Sequence, residues 1–271
     1  MENIYLIALD LDGTLLNDKS EITPATFDYL KKIINMGHKV VLCSGRPKRA
    51  IMPFYNAIGC DTPFVSYNGI NVYHPKDDNF PHMMISFDRN LVKSILNDIG
   101  ENNLDLIMCE TLNEAYINKD SSAVREIFWH DDEACLIFGD VLMNLPEDPL
   151  TFLLKTYDDK LFPHIQEVIN KYPGSKVRFC NGYLKNFCEI YQEHVSKYNA
   201  LKHIANYYDI PLSNIIAFGD AANDLEMIQG AGIGFAMKNA EERVLAVAPH
   251  VTEFTNLEDG VIKELQKIIK E

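Results

Sequence analysis

Residues 4–9 (Ile-Tyr-Leu-Ile-Ala-Leu) form a short, almost unbroken apolar run, the pattern of a strand buried on both faces. Helical spacing follows from about Pro24 to Met36, with Thr23 placed as cap, Pro24 at the first helical position and Gly37 as the stop. Lys39–Cys43 is a second apolar strand, Pro47 opens a second helix, and Pro63–Tyr67 is a third strand ending at the turn dipeptide Asn68-Gly69. Strand, helix, strand, helix, strand predicts a parallel, doubly wound sheet.

The rhythm changes near Pro81. Met83–Phe87, Leu104–Glu110, Thr151–Tyr157, Lys176–Cys180 and Phe187–Tyr191 read as strands, with helices near Asn90–Asn102 and Lys160–Lys171. This middle part predicts an α+β unit with a largely antiparallel sheet. Residues 128–150 carry no readable period; Pro146 and Pro149 interrupt them, and Asp131-Asp132-Glu133 reads as a solvated turn. The first rhythm then returns: a helix at 196–208, the strand Asn214–Phe218, a short helix to Gln229 and the strand Gly232–Ala236. Asn239 is placed to cap a further helix, with Glu242 at the capping-box position, and Leu257–Lys270 closes the chain. The predicted fold is an α/β, Rossmann-like core of residues 1–80 and 190–271, interrupted by an inserted α+β domain of residues 81–189.

Composition narrows the function. A chain of 271 residues with 47% hydrophobic composition can bury a large core, and its formal charge of −14 opposes nucleic acid and anionic membranes as partners. A phosphate ester would have to be attracted locally, by a metal ion and a few cations. No apolar stretch approaches the about 20 residues that span a bilayer, and the N-terminus lacks the features of a secretory signal, so a cytoplasmic location is the expectation. Six cysteines without a CxxC spacing read as reduced, buried thiols, and eight histidines without an HExxH arrangement offer no transition-metal site. Oligomeric state is left open.

The chemistry starts at Asp10-Leu11-Asp12-Gly13-Thr14-Leu15-Leu16, where the first strand ends. Residues two apart in an extended segment share a face, so both carboxylates point toward the crevice that open α/β sheets use for ligands. Two acids this close repel each other unless a cation or a shared proton compensates, and magnesium prefers such oxygen ligands. Other segments lead to the same sheet edge. Ser44-Gly45-Arg46 ends the second strand and offers a hydroxyl and backbone N–H groups to an anion. Lys197 begins the returning helix, and Gly219-Asp220-Ala221-Ala222-Asn223-Asp224 adds two more carboxylates.

The order and spacing of these segments resemble the four motifs of the haloacid dehalogenase-like hydrolase superfamily, and the large insert between the second and third resembles its type IIB (Cof-like) branch. Gly219–Met227 (GD-x-x-ND-x-x-M), Gly234–Ala240 and the Asn68-Gly69 turn carry the likeness further. Tyr198 departs from the glycine usual after the motif-three lysine. The resemblance implies a magnesium-dependent phosphatase with Asp10 as nucleophile and Asp12 as general acid and base. Gly13, Thr14, Ser44, Gly45 and Asn223 would face the phosphoryl group, and Lys197 would neutralise charge there. Asp10, the Asp12 carbonyl and Asp220 would hold Mg2+, with Asp224 and Asn223 as outer or auxiliary contacts. An aspartate at position 12 favours oxygen leaving groups, hence a phosphatase or phosphomutase over a dehalogenase.

The expected substrate is a small phosphorylated metabolite, a sugar phosphate or a cofactor phosphate. Arg46 either touches it or pairs with an acid near the sheet edge. Glu189 sits where the subfamily often places a substrate-side acid; Arg178, Asn181 and His194 are further polar residues near the junction, and Trp129-His130 is a candidate aromatic wall. A phosphosugar mutase and a non-catalytic phosphometabolite sensor are the alternatives. Retention of Asp10, Asp12, Lys197 and Asp220 speaks against the sensor.

Overall fold

The computed structural model describes residues 4–120, 135–180 and 185–270. The chain divides into two compact units, Met1–Met83 with Ser196–Glu271, and Met84–Val195. Residues 81–83 and 190–195 therefore fall on the other side of the divisions from those expected. At the second boundary the reason is local, because the last strand of the second unit runs on to Gln192.

The first unit begins with β1 (Leu6–Leu9), α1 (Pro24–Asn35), β2 (Lys39–Leu42), α2 (Lys48–Ile58), β3 (Phe64–Ser66) and β4 (Asn71–Tyr73). The short β5 (Met83–Met84) stands where the second unit starts. That unit contains α3 (Arg89–Ile99), β6 (Leu104–Glu110), β7 (Ala115–Ile117), β8 (Leu136–Phe138), α4 (Val141–Asn144), β9 (Thr151–Thr156), α5 (Phe162–Ile169), β10 (Ser175–Phe179) and β11 (Phe187–Gln192). The chain then returns to the first unit through α6 (Lys197–Tyr207), β12 (Ile215–Gly219), α7 (Leu225–Gly230), β13 (Ile233–Ala236), α8 (Glu242–Leu245), β14 (His250–Val251) and α9 (Gly260–Ile268).

The core sheet is parallel throughout, in the order β14-β13-β12-β1-β2. Its central strand shows why both faces had to be apolar. Ile7 and Leu9 pack with α1, α2 and α9, while Leu6 and Ala8 pack with α6, and all four are fully buried. The alternating side chains of one strand thus feed two helix layers. The third predicted strand is placed differently. β3 meets the core sheet through a parallel bridge between Cys43 and Val65, and pairs antiparallel with β4. It is three residues long, and the left-handed backbone of Tyr67 and Asn68 (φ 50° and 57°) folds the chain back on itself.

In the second unit the sheet order is β10-β11-β9-β6-β7-β8, antiparallel except between β7 and β8. One face packs Ile107, Cys109, Phe152 and Leu154 against α3 and α5. Strands β7 and β8 escape a sequence reading because three residues are too few to display an alternating pattern. Asp131-Asp132-Glu133, Trp129-His130 and Asn181 lie outside the described residues.

One cap is corrected. Helix α8 follows Glu241, not Asn239, because the Asn239 amide is engaged by other loops. Among the described residues, no helix is long and apolar enough to cross a membrane. Leu30 of α1 is fully buried in the core, remote in sequence from the acidic loops. Leu30→Ala is expected to cost about 2–5 kcal/mol in unfolding free energy by denaturant titration; a loss below 1 kcal/mol, taken as roughly the cost of a surface change, would mean this layer is not close-packed.

Candidate active site

Each chemical residue stands where a core element ends. Asp10 follows β1, and its backbone N–H donates to the Phe218 carbonyl at 3.2 Å, which fixes the start of one acidic loop against the strand that leads to the other. The turn Leu11–Leu15 is closed by the Leu16 N–H donating to the Leu11 carbonyl at 2.9 Å. Gly13 sits at φ +74°, and a Cβ there would lie 2.4 Å from an Asp220 carboxylate oxygen. Only glycine combines that backbone with that approach. Thr14, buried, donates its hydroxyl to Asp220 Oδ1 at 3.1 Å.

Lys197 opens α6, one residue after the cap Ser196. Gly69 makes room for that start: a Cβ on it would lie 2.3 Å from the Ser196 carbonyl oxygen. The Lys197 side chain is fully buried, and its Nζ donates to Asp10 Oδ1 at 2.5 Å and to Asp224 Oδ1 at 2.6 Å. Asp224, also fully buried, uses its other oxygen to accept from the backbone N–H groups of Asp220 and Ala221 at 3.0 and 3.1 Å. It therefore orients both the lysine and the Asp220 loop.

The electrostatics follow from this crowding. Burial raises the Asp10 carboxyl well above its ordinary value, and the Lys197 ammonium only partly opposes this. Burial, then the charge of Asp224, raises Asp220 to about 7. Burial alone would lower Lys197; Asp10 and Asp224 outweigh it and hold the ammonium above its usual range. Asp10, Asp220 and Asp224 bring carboxylate oxygens within 4.8 Å of one another around a single ammonium. An all-carboxylate donor set with more negative than positive charge fits a hard divalent cation.

Asp12 is not in that group. Its carboxylate turns to Arg46, which grips both oxygens from Nε at 2.8 Å and Nη2 at 2.6 Å. A metal ligand at Asp12 would have to be its backbone carbonyl, since the side chain is held by a buried guanidinium. Of the two readings of Arg46, the acid pair is the one observed.

Ser44 is buried, and its hydroxyl oxygen accepts from the Arg46 N–H at 3.1 Å. Asn223 donates to Asn68 Oδ1 at 2.8 Å, while the Asn68 N–H donates to the Ser44 carbonyl at 3.1 Å. A Cβ on Gly45 would lie 3.0 Å from Asn68 Oδ1, so the Asn68 side chain lies close over this turn. Asn68 thus ties the second motif to the fourth, a role its turn-forming sequence did not announce. Glu189 lies on β11 in the second unit and pairs there with Arg178 at 2.9 Å.

The family model described as haloacid dehalogenase-like hydrolase matches residues 7–265. The chain is 33% identical over 267 residues to 5-amino-6-(5-phospho-D-ribitylamino)uracil phosphatase YitU of Bacillus subtilis, covering 97% of each chain. It is 28% identical over 281 residues to the Escherichia coli phosphatase of the same description, YbjI, covering 99% of this chain and 97% of that one. A solved haloacid dehalogenase-like hydrolase from Bacteroides thetaiotaomicron superposes with a TM-score of 0.81 at 28% identity, over 98% of this chain and all (100%) of that one.

Asp224→Ala strips Lys197 of one of its two buried carboxylates and frees two backbone N–H groups. Breaking a buried pair in this way is expected to cost about 3–5 kcal/mol, read from denaturant unfolding. A change under 1 kcal/mol, taken as roughly a surface effect, would contradict the orienting role given to Asp224.

Proposed function

The chain belongs to the haloacid dehalogenase-like hydrolase family and is a phosphatase of its type IIB, Cof-like branch, and we propose that it hydrolyses phosphate monoesters of small metabolites, with Mg2+, through a phosphoryl-aspartate on Asp10. The observation that carries this reading is the meeting of Asp10, Lys197, Asp220 and Asp224 in one buried cluster.

Asp10 and Asp220 would hold the metal with the Asp12 carbonyl, and Asp224 would support them. When bound, the ion supplies charge neutralisation for the carboxylates and the phosphoryl oxygens. Lys197 keeps the Asp10 oxygen oriented and adds a positive charge beside the phosphorus that Asp10 attacks. Gly13, Thr14, Ser44, Gly45 and Asn223 line the loops that would receive the phosphoryl group. Asp12 would protonate the leaving oxygen and later take a proton from water. Both its oxygens are engaged by Arg46, so that work requires the pair to open.

For substrate, the YitU and YbjI relatives carry the name of one phosphorylated ribitylamino-pyrimidine. A phosphate ester on a polyol chain attached to a flat heterocycle is accordingly the first compound to test, ahead of simple sugar phosphates.

Phosphate release from that compound and a panel of phosphomonoesters, in Mg2+ and under multiple turnover, checks the proposal. EDTA or Asp10→Asn is expected to abolish nearly all release. Undiminished activity in either control would refute the mechanism, and release that depends on an added sugar bisphosphate would move the reading to a mutase. Asp12→Asn is expected to lower kcat by about 10²–10⁴, with labelled phosphate persisting on the enzyme after acid quench; wild-type turnover in that variant would remove Asp12 from proton transfer.

A further inference from the structure

The loop that follows β13 fastens the two acid-bearing loops to each other. Its backbone is bonded to one of them: Met237 N–H donates to the Gly219 carbonyl and Glu241 N–H to the Asp220 carbonyl, both at 2.9 Å. From between these two anchors, the Asn239 side chain reaches the other loop, and its Nδ2 donates to the Gly13 carbonyl at 2.8 Å. The same amide's Oδ1 accepts from the Asn256 backbone N–H at 3.0 Å. Asn256 in turn donates from its own Nδ2 to the Leu16 carbonyl at 2.8 Å. Gly13 and Leu16 lie in the turn that carries Asp12 away from Asp10.

We propose that Asn239 and Asn256 are positioning residues, a clamp of two side-chain amides that sets the placement of the Asp10–Leu16 loop against the loop bearing Asp220. The carbonyls they hold belong to a turn, outside the strand ladder, and need donors from elsewhere. A carboxamide is suited to position 239 because it offers a donor and an acceptor on one short planar head; aspartate keeps the shape and loses the donor. Asn239 is exposed, so each bond it makes is exchanged against one with water and adds little to folding stability. What the clamp supplies is placement, and an error of about an ångström at reacting groups can cost on the order of 100-fold in rate. The expected signature is therefore a fall in kcat out of proportion to any loss of stability.

The kinetic readout rests on the proposed phosphatase activity, whereas hydrogen exchange does not. In the full-length protein, Asn239→Ala, Asn239→Asp and Asn256→Ala are each expected to lower kcat by about 10- to 100-fold. KM and the thermal unfolding midpoint should stay near wild type. Asn239→Asp should be at least as impaired as Asn239→Ala, since it sets a carboxylate against the Gly13 carbonyl. The double Asn239→Ala/Asn256→Ala variant should be more impaired than either single, because each amide holds its own carbonyl of the loop, Gly13 and Leu16. Backbone amides of residues 11–16 should exchange faster in every variant. Wild-type kcat with unchanged exchange in Asn239→Asp would overturn the clamp, as would a kcat loss that follows the unfolding midpoint. If the wild-type protein releases no phosphate from any ester, the phosphatase reading fails, and exchange at residues 11–16 alone decides for or against the clamp.

Discussion

A lysine ammonium with no exposure to solvent needs carboxylates around it, and Lys197 has two, Asp10 and Asp224. This requirement organises the catalytic end of the first unit. Burying the charge unpaired would be prohibitive, so α6 can dock at its observed depth only if the ends of β1 and β12 deliver their acids to its first residue. The reverse holds as well. Without the ammonium, burial and the neighbouring carboxylates would both favour protonation of Asp10 and Asp220 unopposed by the charge of Lys197. Fold and site are thus coupled through one ion-paired cluster: the parallel sheet brings the loops together, and the charges make their meeting tolerable.

Within that cluster the carboxylates are not equivalent. Asp224 is fully occupied by the lysine and by two backbone N–H groups, which makes it the framework of its own loop. Asp220 is less committed; its side-chain bond to Thr14 crosses from one acidic loop to the other. Asp10 offers one oxygen to Lys197. Asp12 stands apart, held by Arg46. The structure therefore separates acids that set geometry from acids with capacity for a cation or a phosphoryl group. Charge count alone would not reveal this division.

The sequence made the acidic loops legible because the relevant signals are local: an apolar strand ending in Asp-x-Asp, and a second ending in Gly-Asp. Long or strongly apolar elements such as α1, β2 and β6 were legible for the same reason, since each displays its own period. What escaped depends on partners distant in the chain. The pairing of Arg46 with Asp12, 34 positions earlier, could not be read from either residue's own surroundings in the chain. Asn239 matched a capping box, yet its amide is claimed by Gly13, 226 positions away. The pattern Asn-x-x-Glu describes a helix start only when nothing nearby competes for the side chain. β7, β8 and the detachment of β3 from the core sheet were hidden by brevity, because three residues carry almost no periodic information.

The departure at Tyr198 shows how the fold accommodates a bulky residue beside a buried charge. Helix α6 begins at Lys197 under the Ser196 cap, so a bulky residue in its first turn must find space without turning the lysine. It does so at the end of α7. A Cβ on Gly230 would lie 2.4–2.6 Å from three atoms of the Tyr198 ring, so the ring occupies the volume that any other residue at 230 would fill. The aromatic edge packs across the α6–α7 contact, and Lys197 keeps both carboxylates. The lack of a side chain on one helix thus makes room for the ring of the other, as close packing demands. Since α7 begins next to Asp224, the tyrosine also braces the helix that carries the lysine against the helix that follows its anchoring acid. A substitution that looks like a loss of loop freedom in the sequence is, in the folded chain, an additional contact between two elements of the site.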